Sequence, residues 1–273
     1  MNSVVLSKAK ANGKSEIFKF NLIISVVWLI ILFTLNKGHV YLDGQVLFWG
    51  IAYGITQTLF ILFKTAAMST GPVSITTLIG NSSLIVSITV SLIVWNENIN
   101  TSDIIGLALL VFAIFMCTYR KDNANYSPKW KYYTALFLIC ASGVGIVFKG
   151  FGKSAGSEHC GDMMLVASVV MVVCYFVICM FTGGVNIKST DYGNVKKFLV
   201  FALISGILSC IYNRLNVFLS GNLDAIIFFP SFNGGTVLVS TLLSVLLCRE
   251  KLVIKQAVGL LLGIAAICLI GIL

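Results

Sequence analysis

The feature that most constrains this chain is a succession of long apolar runs separated by short polar breaks. A hydrocarbon layer about 30 Å thick is crossed by about 20 helical residues. Runs of that order extend over Phe20 to Leu35, Val46 to Met68, Val73 to Trp95, Ile104 to Tyr119, Tyr132 to Phe151, Met163 to Phe181, Phe198 to Leu219, Ala225 to Cys248 and Leu252 to Leu273. Unbroken runs of this length fit helices, whereas a membrane β-barrel needs alternating strands of about ten residues. The expected fold is therefore an all-α membrane protein, a polytopic helical bundle of about nine spans. With 58% hydrophobic and 11% charged residues, against about 25% charged in soluble domains, most of the surface is expected to meet the lipid bilayer.

Met1 to Lys19 is lysine-rich and lacks the apolar core and small-residue cleavage site of a signal peptide. The first run is thus expected to remain as a span. The eight cysteines, Cys117, Cys140, Cys160, Cys174, Cys179, Cys210, Cys248 and Cys268, show no CxxC pairing and read as small buried apolar residues.

The net charge of +9 is distributed as topology rather than as a nucleic-acid patch. Lysine and arginine concentrate in cytoplasmic loops. Alternate loops carry Lys8, Lys10, Lys14 and Lys19, then Arg120, Lys121, Lys129 and Lys131, then Lys188, Lys196 and Lys197, then Arg249, Lys251 and Lys255. The intervening loops carry Lys37, Lys149 and Lys153 alone. One missed or invented span would invert every later loop and destroy this asymmetry. The split predicts a cytoplasmic N-terminal segment and an external C-terminus, in the cell (plasma) membrane, with no nucleic-acid partner.

The chain also repeats itself. At a shift of 153, Ser87 meets Ser240, Ser91 meets Ser244, Glu97 meets Glu250, Gly106 meets Gly259 and Ala113 meets Ala266. The preceding helices match at a shift of 152, where Gly54 meets Gly206, and the helix beginning near Met163 falls opposite the one beginning near Phe20. The run from Tyr132 to Phe151 then lacks a counterpart, with only MNSVVLS opposite its end. The expected ancestral unit has five helices, and the first copy here lacks most of its opening helix, through truncation or a misplaced start. The domains are read as 1–125, an incomplete first repeat of about four spans, and 126–273, a second repeat of five. An odd number of spans per copy gives two inverted five-helix repeats, an architecture used by many secondary transporters.

The segments GPVSITTLIGNSSLIVSITVSLIVWNENINTSDIIGLALLVFAI and FFPSFNGGTVLVSTLLSVLLCREKLVIKQAVGLLLGIAAI each combine a polar-flecked helix, a short acidic loop and a glycine-containing final helix. In this they resemble the drug/metabolite transporter superfamily, in particular its ten-helix EamA-like members. The resemblance covers the chain except for the absent first helix. It implies a permease for transmembrane transport, within a superfamily whose cargoes include amino acids, other metabolites, nucleotide-linked sugars and toxic compounds. Many ten-helix relatives keep both ends in the cytoplasm, from which the external C-terminus expected here departs.

Candidate substrate-binding residues are the polar groups that hydrocarbon penalises. An ionisable side chain at mid-span costs about 2.5–3.5 kcal/mol on insertion scales and usually faces a cavity. Lys64 shares a helical face with Tyr53, Gln57 and Phe60. At the shift of 152, Gln57 meets Ser209, Ile61 meets Asn213, Lys64 meets Asn216 and Met68 meets Ser220, giving the second repeat a polar stripe. Gln57, Lys64, Asn213 and Asn216 are expected to line a central pathway, with snorkelling to the headgroups as the alternative for Lys64. Arg214 lies about 100° from that stripe and reads as a snorkelling residue. Asn81 and Asn233, with Thr236, Ser240 and Ser244, either bind solute or join helices. Phe228 to Gly235, with Pro230 and paired glycines, marks a helix that begins or bends, fit for a gate or a broken-helix site. Gly50 with Gly54, and Gly259 with Gly263, form GxxxG pairs for close packing.

No carboxylate lies deep in a span; Glu97 and Glu250 sit at helix ends beside loops. There is no Walker A, GxSxG or HExxH sequence, and His39 and His159 read as solvated loop residues. No enzyme activity and no cofactor or metal is expected. The function expected is a secondary, non-ATP-driven transporter of a small polar metabolite. It works by alternating access between the repeats, and Lys64 favours an anionic or zwitterionic small-molecule substrate. The alternative is a non-transporting membrane scaffold or lipid-handling protein.

Overall fold

The computed structural model describes residues 14–36, 38–97, 99–118, 127–154, 157–181, 192–239 and 254–272, with backbone alone at 14–16, 73–74, 117–118, 157, 192–197, 255–256 and 271–272. Every described element is helical. They are α1 (Lys14–Leu35), α2 (Gly44–Thr70), α3 (Val73–Asn81), α4 (Ser83–Trp95), α5 (Thr101–Thr118), α6 (Trp130–Ser154), α7 (Cys160–Phe181), α8 (Tyr192–Asn222), α9 (Ala225–Phe229) and α10 (Ile254–Ile272), with a 3-10 turn at Ser157–His159 and a π-helical turn at Pro230–Gly234. Among the described residues, six helical segments are long and apolar enough to cross a membrane: Ile17–Leu35, Gly44–Thr70, Ile75–Trp95, Trp130–Ser154, Cys160–Phe181 and Phe198–Asn222. Shorter apolar helices run over Thr101–Met116, Ala225–Val239 and Ala257–Ile270. Each of the nine expected runs thus contains a helix. The end of the eighth run, Ser244 and Cys248 included, lies outside the described residues.

Two compact units divide these helices, and each is built from two separate stretches of the chain: 1–58 with 150–221, and 59–149 with 222–273. This is a grouping in space; a division at residue 125 concerns sequence repeats.

In the first unit, glycines set the packing. A side chain at Gly50 would meet Val166 and the Met163 carbonyl at 2.8 and 2.9 Å, and one at Gly54 would meet Val170 and the Ala167 carbonyl at 2.7 and 2.9 Å. α2 therefore runs alongside α7 in the same direction. Gly206 seats Val27 in the same way, at 2.8 Å, the Trp28 indole N–H donates to Ser209 Oγ at 2.9 Å, and Phe20 meets Phe198 edge to face. α1 and α8 are therefore parallel as well. At the end of α1, Asn36 lies against Gly161 and donates to Asp162 Oδ1 at 2.8 Å, so α1 and α7 are antiparallel. It follows that α2 and α8 are also antiparallel.

The loop ends of this unit are tied down. Asp162 also accepts from the Tyr41 amide, and its Oδ2 lies 3.3 Å from His159 Nδ1. The His159 ring stacks on Tyr41 with centroids 4.3 Å apart. His159 is therefore not the free loop residue expected; an aromatic ring brought from another loop covers one of its faces.

In the second unit, α5 and α10 cross in opposite directions, Gly106 against Ile270 and Gly263 against Ala113 and Leu238. Leu110, Ile114 and Ala266 join Leu84, Ile88, Ala225, Phe228 and Phe229 in one apolar core. The expected span from Val73 to Trp95 is interrupted at Ser82, which separates α3 from α4. There the Ser82 hydroxyl and amide both bond back to the Leu78 carbonyl, and the amide is shared with Ile79, which tightens the turn. Asn96, left-handed at φ 48°, then closes α4, a conformation asparagine tolerates better than most residues.

The outward faces carry large apolar side chains, among them Ile30, Phe33, Ile93, Ile139, Phe181 and Leu261. So continuous an apolar surface is a liability in water and suits hydrocarbon. Cys140, Cys160, Cys174, Cys179, Cys210 and Cys268 are not joined in disulfides. Because Gly54 abuts a backbone carbonyl that cannot retreat, Gly54→Val is expected to lower stability by about 1–3 kcal/mol. Gly235→Ala, with nothing within 4 Å of the new methyl, leaves it near wild type; thermal unfolding in detergent distinguishes the two.

Candidate functional site

The six expected binding residues fall three to each unit. Gln57, Asn213 and Asn216 belong to the first, Lys64, Asn81 and Asn233 to the second.

In the first unit the polar stripe of α8 faces protein. Asn213 Oδ1 accepts from the Tyr53 hydroxyl at 3.1 Å, and its Nδ2 donates to the Ser209 carbonyl at 2.8 Å. Asn216 is 3% exposed and Ser220 is fully buried, while Arg214 is exposed beside them. The offset of Arg214 from the stripe explains the contrast. Gln57 is half-buried on α2, one turn beyond Tyr53. Tyr53, fully buried, is the residue that joins the two helices. In the sequence it stands out only by sharing a face with Lys64.

In the second unit Lys64 is half-buried, its Nζ 5.5 Å from the centroid of the Phe60 ring. A cation over an aromatic face is attracted by the ring quadrupole, by about 0.5–2 kcal/mol depending on solvation. Phe60 in turn packs on Phe137 at 5.3 Å, and the Phe137 ring fills the space left by Gly80, next to Asn81. Asn81 ends α3 at the Ser82 break. Asn233 lies in the π-helical turn and donates to the Phe229 carbonyl at 3.2 Å. Both asparagines thus sit where helical geometry changes, and α6 packs against both places. Besides placing Phe137 at Gly80, α6 presents Gly145, where a side chain would strike Ser87 Oγ at 2.7 Å and Phe229 at 2.8 Å.

Sequence reasoning missed a buried ion pair. Lys149, counted there as a loop charge, is fully buried and pairs with Glu97 at 2.6 Å, the carboxylate side chain being 4% exposed. Lys149 Nζ also donates to the Leu223 carbonyl at 2.6 Å. Glu97 Oε2 accepts from the Ala225 amide at 2.8 Å. The pair therefore joins the end of α6, the end of α4 and the start of α9. Its carboxylate faces the amide end of that last helix, where negative charge is favoured. Nothing in the local spelling of either residue announces the other.

Removing one partner of a buried ion pair strands the remaining charge, at about 3–5 kcal/mol, whereas replacing both is often close to neutral. Glu97→Gln and Lys149→Met are each expected to depress the thermal midpoint strongly, and the double variant to recover most of the loss. Unfolding of the four proteins in detergent measures the coupling.

No protein-family model and no curated protein matches the chain. Among solved structures, one crystal structure superposes with a TM-score of 0.73 over 99% of this chain and 92% of the other, at 12% identity. At that identity the likeness is one of fold alone. The chain is a polytopic all-α membrane bundle.

Proposed function

We propose that the protein is a secondary transporter that carries a small polar metabolite across the plasma membrane by alternating access. In this reading it is an EamA-like member of the drug/metabolite transporter superfamily, built from two inverted repeats. The observation that carries the reading is a pair of exchanged helix contacts. Gly54 seats Val170, and Gly206 seats Val27. Gly206 is Gly54 shifted by 152, and Val170 is Val27 shifted by the 143 positions that bring Phe20 opposite Met163. Each first-copy partner thus recurs as a second-copy partner, as a two-fold relation between repeats requires.

Two further features support it. Ala113 lies against Gly263, and their counterparts at 153, Ala266 and Leu110, share one core. The helix irregularities also correspond. Gly80 and Asn81, where α3 ends, align with Asn233 and Gly234 in the π-helical turn. Interrupted helices at matching positions of two halves are the usual pointer to a transporter's binding region. Gln57, Lys64, Asn81, Asn213, Asn216 and Asn233 are the residues proposed to meet the solute.

The experiment is a scan of thermal unfolding of the purified protein against amino acids, organic acids, sugars, nucleotides and amines, followed by flux of any stabilising solute in proteoliposomes. A ligand of the folded state at one hundred times its dissociation constant adds about 2.7 kcal/mol. The expected result is a saturable stabiliser that also crosses the membrane down its gradient without ATP. Asn213→Leu is expected to weaken its binding. Lys64→Ala is expected to weaken it more than Lys64→Arg does, because the arginine keeps the charge. A solute that neither stabilises nor crosses, across the whole set, removes the carrier reading.

A further inference from the structure

Among the described residues of the first unit, two buried polar atoms have no hydrogen-bond partner: the Trp49 indole nitrogen Nε1 and the Asn216 amide oxygen Oδ1. One is an obligatory donor and the other an obligatory acceptor. Most buried polar side-chain atoms are satisfied, and leaving one unmade costs stability. Two such atoms of opposite kind at one level of a bundle therefore call for a shared partner.

Their level follows from the packing. Tyr53 on α2 bonds Asn213 on α8, and the two helices are antiparallel. Trp49 lies four residues before Tyr53, about 6 Å along the axis, and Asn216 lies three residues after Asn213, about 4.5 Å along its own. On antiparallel helices these displacements have the same sense. Both atoms thus lie about one turn from the Tyr53–Asn213 bond, toward the same end of the unit. The Trp49 ring rests on Gly150, where any side chain would collide with it, so the indole has a fixed seat. Asn216 is 3% exposed, and Ser220, one turn on, is committed to the Val217 carbonyl at 2.9 Å.

We infer that Trp49 and Asn216 form a built site for one neutral hydroxyl group, which accepts from the indole N–H and donates to the amide oxygen. An anion matches the indole but not Asn216 Oδ1, where it places two acceptors face to face; an ammonium reverses the mismatch. A hydroxyl satisfies both. It comes either from an ordered water or from a polyhydroxylated solute. In the second case the inference rests on the carrier reading and narrows its cargo toward neutral polyols and sugars, away from the anions that Lys64 suggested.

The test is a double-mutant cycle with Trp49→Phe and Asn216→Leu on the full chain in detergent, read as thermal midpoints with and without mannitol, glucose or succinate at millimolar concentration. A shared hydroxyl makes the two substitutions non-additive, because either one alone removes the bridge. Additive shifts overturn the inference. With non-additivity established, stabilisation by mannitol or glucose that weakens about five- to tenfold in apparent affinity on Asn216→Leu identifies a solute hydroxyl. Non-additivity without any polyol effect identifies an ordered water. Succinate stabilisation abolished by Asn216→Leu overturns the preference for a neutral group. The cycle reads the site whether or not flux is seen, so a failed transport assay and a failed site are told apart.

Discussion

Inside a bilayer a polar group has no water to fall back on, and each one left unpaired costs several kcal/mol. The helices satisfy their own backbones, and their hydroxyls follow the same rule. Ser25, Thr56, Thr58, Thr65, Thr70 and Ser142 each return a hydrogen bond to the carbonyl four residues earlier. Such residues read as polar in the sequence yet leave little polarity for a solute. Among the described residues, the polarity that joins separate helices includes the Tyr53–Asn213, Trp28–Ser209 and Trp130–Thr76 bonds and the buried ion pair.

The ion pair obeys the same constraint with larger stakes. Glu97 and Lys149 are both buried, and a carboxylate or an ammonium alone there would be far less stable than the pair. Each also takes a backbone partner, at Ala225 and Leu223. The left-handed turn at Asn96 delivers Glu97 to its place, and the start of α9 supplies the donor. Three helix ends are thus held together by charge. This also bears on proton coupling. Among its described residues the second unit buries two carboxylates, Glu97, paired with a lysine, and Asp103, which accepts from the Asn100 amide, so each differs from the unpartnered acid that a proton carrier exposes to each side in turn.

The architecture was legible because its signals are local. Apolar runs fix the helices, and the GxxxG spelling at Gly50 and Gly54 marks a face that meets α7 as close packing requires. The polar stripe through Asn213 and Asn216 could be read as turned away from lipid, because lipid penalises it. The break at Ser82 was hidden, since Gly80, Asn81 and Ser82 sit within an unbroken apolar run and the deciding bonds are to Leu78 and Ile79. The pairing of Lys149 with Glu97, the stacking of His159 on Tyr41 and the role of Tyr53 were illegible for another reason. Each joins elements far apart in the chain, and spacing along a sequence carries no record of which helix ends meet in space.

On the proposed carrier reading, Lys64 and the Trp49–Asn216 pair favour different solutes, and the physics ranks them differently. A lysine over Phe60 already has a favourable partner in the ring quadrupole, so its charge does not by itself demand an anion. A buried donor and a buried acceptor without partners have no such relief. Recognition by unmatched buried groups is also the more discriminating kind, because a solute lacking the right hydroxyl leaves them unpaired.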